Sequence, residues 1–487
     1  MNMNRKHNLL LCISLFLLAG CNMGRELYNE PAPLITFDVP DGQYTVKTGQ
    51  TLAIMPQISY DTGASYTWEL DGITVGTDKD FTFSAQEPGT YFLTFKVTRP
   101  DITVSKQVRI NVIRKAPPHI FLAVPVDGYS VLTGTSLTIR PIVENNENTE
   151  YLWKVNQVEV SRDSIYTFTS SYEGNYDVFF SAVNEDGADE ILFRVNVADT
   201  LPGSGDTGTT DDPPLPSDKY YRPSNQESHA HWSAVLEYTP APGQFINELE
   251  TGGFSGENTR EGSIRYAEKR LKEGLFVSLG AFGGYLVAGF DHSIVNDGGY
   301  NLQITGNAYE NSSEPGIVWV MQDSNGNGLP DDTWYELKGS EHSNSSTRRN
   351  YAVTYFRPRE PESPVHWIDN EGNTGTIDYL GSFHSQDSYY PLWIDRDYYT
   401  LTGTRLESRN YLSPTGSWIS PAYDWGYADN NEQDLFRIAD AVTPKGEPVE
   451  MDFIDFVKVQ TGVQGKSGWL GEISTEICSI SDYNLIK

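Results

Sequence analysis

Oxygen-bearing side chains recur at alternate positions between residues 323 and 332 and could bind a calcium ion. Asp or Asn stands at loop positions 1, 3, 5 and 9, and Gly328 stands at position 6. Ca²⁺ takes about six to eight oxygen ligands, which this spacing can bring to one point. Position 12, where an EF-hand has its bidentate Glu, is Trp334, so Asp332 or Glu336 would substitute. The candidate ligands are the side chains of Asp323, Asn325, Asn327, Asp331, Asp332 and Glu336, with the carbonyl of Leu329.

The flanking segments Val318 to Met321 and Trp334 to Leu337 look like strands. The alternating Asx/Gly loop therefore resembles the calcium loops of thrombospondin type-3 repeats more than an EF-hand. A bound Ca²⁺ would be structural, because it would pin a hairpin. The alternative is a metal-free hairpin loop rich in Asn-Gly turn formers.

A second group of side chains is aromatic and could bind a ligand. Trp and Tyr gather without strict periodicity among Gly, Pro, Ser and Asp, and rings in such loops give flat faces for sugars, corrin rings or a protein partner. The alternative for each single residue is packing in a sandwich core. The predicted ligand-binding residues are Tyr389, Tyr390, Trp393, Tyr398, Tyr399, Trp418, Tyr423, Trp425 and Tyr427.

Enzyme signatures fail at specific positions. The segment from Gly253 to Gly256 does not complete a Gly-x-Ser-x-Gly elbow, and Gly465-Lys466-Ser467 lacks the first P-loop glycine because residue 460 is Gln. We expect no catalytic residues and a protein that is not an enzyme. A glycosidase-type carboxylate pair stays open as an alternative, because acidic residues are abundant.

The N-terminus carries a targeting signal. Arg5 and Lys6 precede an apolar run that is too short to span a bilayer. Leu18-Ala19-Gly20-Cys21 resembles the bacterial lipobox, which implies a signal peptide at residues 1–20, a lipidated Cys21 and a tether at 21–32. An ordinary secretory signal is the alternative. We expect an outer-membrane lipoprotein that faces the cell exterior and contacts the membrane through its lipid anchor only.

Length, composition and net charge limit the folds and partners that are possible. The 487 residues suffice for about three domains. The net charge of −31 repels phosphate backbones, so nucleic acid is not expected as a partner. Abundant Tyr, Gly and Pro favour strands and turns, and the prediction is an all-β protein. Cys478 lies in an apolar alternation, which favours a structural thiol over a nucleophile.

An internal repeat occupies the first half. At an offset of 85 residues Trp68 meets Trp153 and Tyr91 meets Tyr176. Short alternating runs separated by turns predict two tandem immunoglobulin-like β-sandwiches at 33–114 and 115–197. The segments around these residues resemble PKD-like domains, in which a Trp packs in the core, and this implies a spacer role. A Pro, Gly, Ser and Thr-rich segment at 198–219 is predicted to be a linker.

Residues 220–487 are predicted to form a larger jelly-roll-like β-sandwich with one helix from Ser263 as N-cap to Glu273. The strings Tyr238 to Asn247, Leu279 to Tyr285, Glu314 to Val320 and Ser467 to Glu472 are similar to Bacteroidetes surface lipoproteins that combine PKD-like domains with such a domain. This resemblance implies a TonB-dependent outer-membrane receptor as partner and a nutrient as ligand, a cobamide first and a glycan next. A non-enzymatic, nutrient-capturing lipoprotein is therefore the leading hypothesis. A glycan-processing hydrolase and a structural or adhesive surface protein are the alternatives.

Overall fold

The computed structural model describes residues 31–39, 42–114, 117–200, 219–431, 433–468 and 471–486. The chain divides into two compact units at residues 116 and 117. The all-β prediction is confirmed, since strands dominate both units and one α-helix is present in the described ranges. The predicted signal peptide, Cys21 and most of the predicted linker lie outside the described residues. Across the described ranges, no helix has the length and apolar character needed to cross a membrane.

The first repeat is an immunoglobulin-like sandwich within the first unit. A five-stranded sheet in the order β2-β9-β8-β5-β6 contains one parallel pair, β2 with β9, and two-stranded sheets β1-β4 and β3-β7 accompany it. Its strands are β1 (Leu34–Thr36), β2 (Gln43–Lys47), β3 (Leu52–Ile54), β4 (Gln57–Ser59), β5 (Ser65–Leu70), β6 (Ile73–Gly76), β7 (Phe81–Phe83), β8 (Gly89–Thr98) and β9 (Thr103–Ile113).

The second repeat has the same topology, with sheets β11-β18-β17-β14-β15, β10-β13 and β12-β16. Trp68 and Trp153 are both fully buried, and each indole N–H donates to the backbone carbonyl ten residues later. The expected core role of these tryptophans is therefore confirmed. Its strands are β10 (His119–Phe121), β11 (Tyr129–Leu132), β12 (Ser136–Ile139), β13 (Ile142–Glu144), β14 (Glu150–Val155), β15 (Val158–Ser161), β16 (Tyr166–Thr169), β17 (Gly174–Asn184) and β18 (Gly187–Ala198).

The second repeat packs against the C-terminal region inside the second unit. The rings of Phe121 and Phe356 lie 5.5 Å apart, and both side chains are buried. Two ion pairs flank them: Glu144 with His366 at 3.0 Å and Asp189 with Arg359 at 3.1 Å. Apolar contact with a polar rim makes residues 117–487 one body, despite the predicted linker within them.

The C-terminal region consists of packed sheets, as predicted for a β-sandwich. Its largest sheet has the order β19-β21-β33-β23-β24-β32, beside sheets β31-β22-β35, β27-β26-β25-β28, β20-β34 and β29-β30. The strands are β19 (Ala234–Thr239), β20 (Val277–Ser278), β21 (Tyr285–Val295), β22 (Leu302–Thr305), β23 (Gly316–Met321), β24 (Tyr335–Leu337), β25 (Arg348–Phe356), β26 (Val365–Asp369), β27 (Thr374–Ile377), β28 (Tyr398–Arg405), β29 (Tyr411–Leu412), β30 (Trp418–Ile419), β31 (Asp434–Phe436), β32 (Ala441–Val442), β33 (Phe453–Thr461), β34 (Glu476–Ile477) and β35 (Ser479–Asp482).

The helix α1 spans Arg260–Lys272, so the predicted N-cap at Ser263 is wrong. Thr259 caps the helix because its hydroxyl accepts the N–H of Gly262, and the hydroxyl of Ser263 instead donates to the carbonyl of Arg260. The predicted end is right, since Gly274 follows the helix with φ +69°. The buried face of α1 joins the main core of the C-terminal region.

Candidate functional site

One face of the six-stranded sheet carries polar and aromatic side chains over a cavity. In β33, Val457 and Val459 are fully buried in the main core. Because side chains of a strand alternate between faces, Lys458 and Gln460 point to the opposite side. Lys458 pairs in register with Trp319 of β23, and Gln460 pairs with Tyr285 of β21.

Lys458 lies in a cage of aromatic rings. Its ammonium nitrogen is 4.8 Å from the ring centroid of Trp319, 4.8 Å from that of Trp334 and 5.9 Å from that of Tyr285. Burial lowers the pKa of Lys458 to about 8, and the negative charge of Glu237 partly opposes that effect. Within the described part of the chain, no carboxylate forms an ion pair with this ammonium group. The rings stabilise the cation, and Glu237 acts on it only from beyond ion-pair distance.

The Lys458 cavity, as we call the space over this face, has a volume of about 690 Å³. That volume falls within the usual range of small-molecule sites. Strands β19, β21, β28 and β33, the start of α1 and the segment before β28 all contribute to the wall. The lining residues are Glu237, Tyr238, Thr239, Arg260, Tyr285, Trp334, Trp393, Ile394, Asp395, Arg396, Tyr399, Thr400, Leu401, Thr402, Lys458 and Gln460.

Two buried polar atoms in this wall have no hydrogen-bond partner: Nε1 of Trp393 and Oε1 of Gln460. The exposed fractions are 9% for Trp393 and 3% for Gln460. Gln460 is held in place because its Nε2 donates to the carbonyls of Gly283 and Thr402. A Cβ at residue 403 would lie 2.3 Å from Gln460 Oε1, so Gly403 leaves room for this oxygen. Buried polar groups are normally paired, so an unpaired donor and acceptor beside a cavity favour a ligand that completes them.

The structure brings two of the nine predicted aromatic residues, Trp393 and Tyr399, to the cavity and distributes the others. Tyr389 and Tyr390 belong to a second core beneath the four-stranded sheet. Tyr423 and Tyr427 belong to a separate small core. The remaining three lie apart, because Tyr398 donates to the carbonyl of Val124 in the second repeat, Trp418 lies in the β29-β30 hairpin and Trp425 is exposed.

The predicted calcium loop connects β23 to β24, as expected from its flanks. The carboxylate of Asp323 accepts the backbone N–H groups of Gly326, Asn327 and Gly328. Asp331 accepts the side-chain amides of Asn325 and Asn327, and Asp332 accepts two donors from Ser324. Leu329 belongs to the same loop, with its N–H donated to Asn327. A calcium ion would require the two asparagine amides to turn their oxygens inward.

Glu336 does not join this loop. It lies in β24, where its carboxylate accepts the hydroxyl of Thr404 at 2.6 Å and where burial raises its pKa. The loop alone therefore supplies the candidate ligands, and calcium stays a prediction.

The calcium prediction is tested by thermal unfolding of the full chain with EDTA and with Ca²⁺. A ligand that binds only the folded state at about one hundred times its Kd stabilises that state by about 2.7 kcal/mol. We expect Ca²⁺ to raise Tm. Asp331→Asn should abolish this response, while the new amide oxygen can still accept the side-chain N–H groups of Asn325 and Asn327. Mg²⁺ serves as the control ion. Identical melting curves in EDTA and Ca²⁺ would support the metal-free hairpin.

A group of three acidic residues in the C-terminal core could hold a cation or share protons. Carboxylate oxygens of Glu314, Asp429 and Glu476 lie within 4.8 Å of one another. Burial and the neighbouring negative charges raise the pKa of Asp429 and Glu476 well above the ordinary range, and burial raises that of Glu314. Asp429 accepts three backbone N–H groups, and Ser474 donates to Glu314 and Glu476. Asp429 and Glu476 are buried and Glu314 is half-buried, and this acid cluster does not line the Lys458 cavity.

Sequence reasoning missed the residues at the centre of the cavity. Lys458 and Gln460 interrupt an apolar strand on the same face, which is the signal that could have identified them. Trp319 and Trp334 are on either side of the predicted calcium loop. The pairing of β23 with β33 brings Trp319 to Lys458, and the pairing of β24 with β23 returns the chain so that Trp334 also contacts it.

Comparison with known proteins identifies the repeats. The family model described as PKD-like domain matches residues 32–99 and 117–184. The comparison with curated proteins gave no match.

Similar solved structures include the fibronectin(III)-like modules of Clostridium thermocellum CbhA, at 15% identity over 34% of this chain and 94% of that chain with a TM-score of 0.20. A chimeric titin Z1Z2 has 18% identity over 34% and 96%, with a TM-score of 0.25. The Sidekick-1 immunoglobulin domains 1–5 have 14% identity over 34% and 39%, with a TM-score of 0.26. Through residues 32–99 and 117–184, the chain carries two tandem PKD-like domains.

Proposed function

We propose that this protein is a non-enzymatic surface lipoprotein that captures a small organic ligand in the Lys458 cavity. The observation that carries the proposal is the pair of unpartnered buried atoms, Trp393 Nε1 and Gln460 Oε1, in the cavity wall. An unpaired buried donor or acceptor costs about 1–3 kcal/mol, so a ligand that pairs both gains affinity from them. The aromatic planes beside these atoms suit a ligand that combines flat apolar faces with polar edges.

A saccharide fits this description best. Sugar rings present C–H faces to aromatic side chains and hydroxyls to donors and acceptors, and a cavity of about 690 Å³ accepts a short oligosaccharide. A cobamide, the nutrient that the family resemblance puts first, carries a corrin ring and a nucleotide loop, and only part of its periphery would enter this volume. It therefore ranks second and forms a separate arm of the test.

The remaining parts of the proposal follow from the sequence. The lipobox-like segment ending at Cys21 supports a lipid anchor in the outer membrane, and the tandem PKD-like domains support a spacer role. A captured nutrient needs a route into the cell, and a TonB-dependent outer-membrane receptor is the proposed partner.

The test blocks the cavity and measures binding. Thr402 is an exposed residue of the lining, so Thr402→Trp fills the cavity without disturbing the core. We expect calorimetry of the full chain to detect binding of one member of a saccharide panel, and Thr402→Trp to weaken it at least about tenfold, a loss of about 1.4 kcal/mol. Thr374→Trp, at the exposed first residue of β27 and outside the cavity, is the matched control.

Cyanocobalamin is the second arm of the same experiment. If cyanocobalamin binds and no saccharide does, the ligand of the cavity is a cobamide. Absence of binding in both arms, or binding that Thr402→Trp leaves unchanged, would contradict capture in this cavity. Product analysis of the same mixtures tests the hydrolase alternative, for which Glu237 and Asp395 are the carboxylates in the lining.

The second candidate function is a structural or adhesive role at the cell surface. The observation that favours it is the pair of PKD-like domains, which have the immunoglobulin-like fold. It predicts that the full chain binds no small ligand and that a protein partner contacts the repeats.

A further inference from the structure

The charge at the centre of the Lys458 cavity narrows the class of ligand. Lys458 presents an ammonium group on the floor of the cavity, and the described side chains that surround it most closely are uncharged rings. Glu237, the acidic group whose charge acts on Lys458, forms an ion pair with Arg260 at 3.0 Å. A cation in a partly desolvated site gains most from an anion that approaches from the open side.

We propose that the ligand captured in the Lys458 cavity is an acidic saccharide, whose carboxylate binds the Lys458 ammonium group while its ring stacks on the aromatic wall. This inference rests on the proposed function, because it names the ligand class of the same site. One uncompensated cation matches the single negative charge of a sugar carboxylate. A phosphate carries a charge of about −1.5 to −2 and would call for a second buried cation beside Lys458, whereas the other cations of the lining are Arg260, which is paired with Glu237, and the exposed Arg396.

The other charged and titratable groups around the cavity leave this pairing intact. On the sheet, Glu237 is paired with Arg260 of α1, and burial raises the pKa of Tyr285. On β24, Glu336 is bonded to Thr404 and its pKa is raised, so it competes weakly for Lys458.

The opposite wall contributes Asp395 and Arg396, which are exposed, and the tyrosines Tyr238 and Tyr399. Both tyrosine hydroxyls donate to backbone carbonyls, those of Ser278 and Pro240. The exposed pair carries opposite charges that solvent screens. Lys458 is therefore the group whose charge decides between acidic and neutral ligands.

Binding of a carboxylate should depend on pH with a defined sign. The ligand prefers protonated Lys458, so affinity is constant from about pH 5, where the sugar carboxylate is ionised, up to the Lys458 pKa of about 8, and falls above it by about tenfold per pH unit. The loss stops at the pKa of the complex, which the bound carboxylate raises. Arg stays protonated at these pH values, so Lys458→Arg should bind the acidic ligand with a flat profile between about pH 7 and 10.

The experiment uses the full chain and matched ligands. Trisaccharides that carry a single galacturonate, glucuronate or mannuronate residue are compared with their methyl esters, which keep the rings and lose the charge. We expect at least one acid to bind about tenfold or more tightly than its ester, in line with a charged hydrogen bond. Lys458→Met should remove this difference. Lys466→Met, which removes a lysine paired with Asp378 outside the cavity, should keep it.

The outcomes separate the inference from the proposed function. Three outcomes would overturn the acidic class and leave saccharide capture in place. They are an ester that binds as tightly as its acid, a neutral glycan that binds when no uronate does, and a preference for the acid that persists in Lys458→Met. If no saccharide binds at all, the acidic-saccharide inference is overturned, and the cyanocobalamin arm then decides whether ligand capture in this cavity stands. A thermal melt of each variant confirms that it is folded before its affinity is compared.

Discussion

Replacing Asp455 by Asn is expected to lower the free energy of unfolding of the C-terminal region by about 3 kcal/mol. The Asp455 side chain is fully buried in β33. Its carboxylate accepts the guanidinium of Arg222 at 2.9 Å, the hydroxyl of Ser293 at 2.6 Å and the backbone N–H of Asp323 at 2.9 Å. Three donors from distant segments thus converge on one buried anion.

The size of this loss follows from the hydrogen bonds that the Asn side chain cannot accept. Asn offers one acceptor oxygen in place of two, so at least one buried donor loses its partner. Removing one member of a buried ion pair costs about 3–5 kcal/mol, and a value near the lower end applies because the side chain of Arg222 is 41% exposed and regains water.

Urea unfolding followed by tryptophan fluorescence measures this change, because eight of the ten tryptophans lie between residues 220 and 487. Asp452→Asn is the matched control, since Asp452 is exposed in the same part of the chain and only its backbone oxygen is bonded. A loss below about 1 kcal/mol for Asp455→Asn would show that the three contacts do not act as a buried anchor.

Raising the pH from 4.5 through 7 is expected to destabilise the same region by about 3 kcal/mol through Glu472 alone. Burial raises the pKa of Glu472 from its ordinary 4.5 to about 7 in the folded state. Below pH 4.5 the folded and the unfolded states both keep Glu472 protonated, so this residue causes no loss of stability. Above 4.5 the unfolded state ionises first, so folding loses free energy until the folded pKa is passed.

The acid cluster acts in the same direction. The carboxyl groups of Glu314, Asp429 and Glu476 also have raised pKa values, since burial penalises their charged forms, so each adds to the loss of stability with rising pH. Their contribution extends the decline beyond the range set by Glu472.

Glu472→Gln tests the assignment. The amide stays neutral at every pH, and its oxygen can still accept the backbone N–H of Gln244, as the carboxylate does at 2.8 Å. Unfolding free energies measured between about pH 4 and 9 should therefore fall less steeply in the variant, by about 3 kcal/mol over the whole range. The exposed Glu450→Gln is the control. Equal slopes in wild type and Glu472→Gln would refute the protonated, buried state of this residue.

The two repeats and the all-β class could be predicted from local patterns in the sequence. Alternation of apolar and polar residues is a local property, and a strand that buries one face reproduces it wherever the same pattern recurs. The 85-residue offset therefore predicts two sheets of identical topology, and the tryptophans Trp68 and Trp153 are buried at equivalent positions. The loop from Asp323 to Asp332 could be predicted to connect two strands because all of its residues are contiguous in the sequence.

Contacts between residues that are far apart in sequence depend on how the strands pack, and local patterns do not predict them. Glu336 is four residues after Asp332, yet the direction of β24 turns its carboxylate to Thr404. The nine aromatic residues that are close in sequence are divided among three cores, a contact with the second repeat, a hairpin, the cavity wall and solvent, because packing selects partners by position in space.

The Lys458 cavity is the clearest case. Its charged centre, its two tryptophan neighbours and its unpaired buried atoms come from β23, the segment before β24, the segment before β28 and β33. The sequence marks Lys458 only as a polar interruption of an apolar strand. Strand pairing decides which rings surround its ammonium group, since the register of β23 and β33 places Trp319 beside Lys458, and a shift of one residue would turn the lysine to the other face.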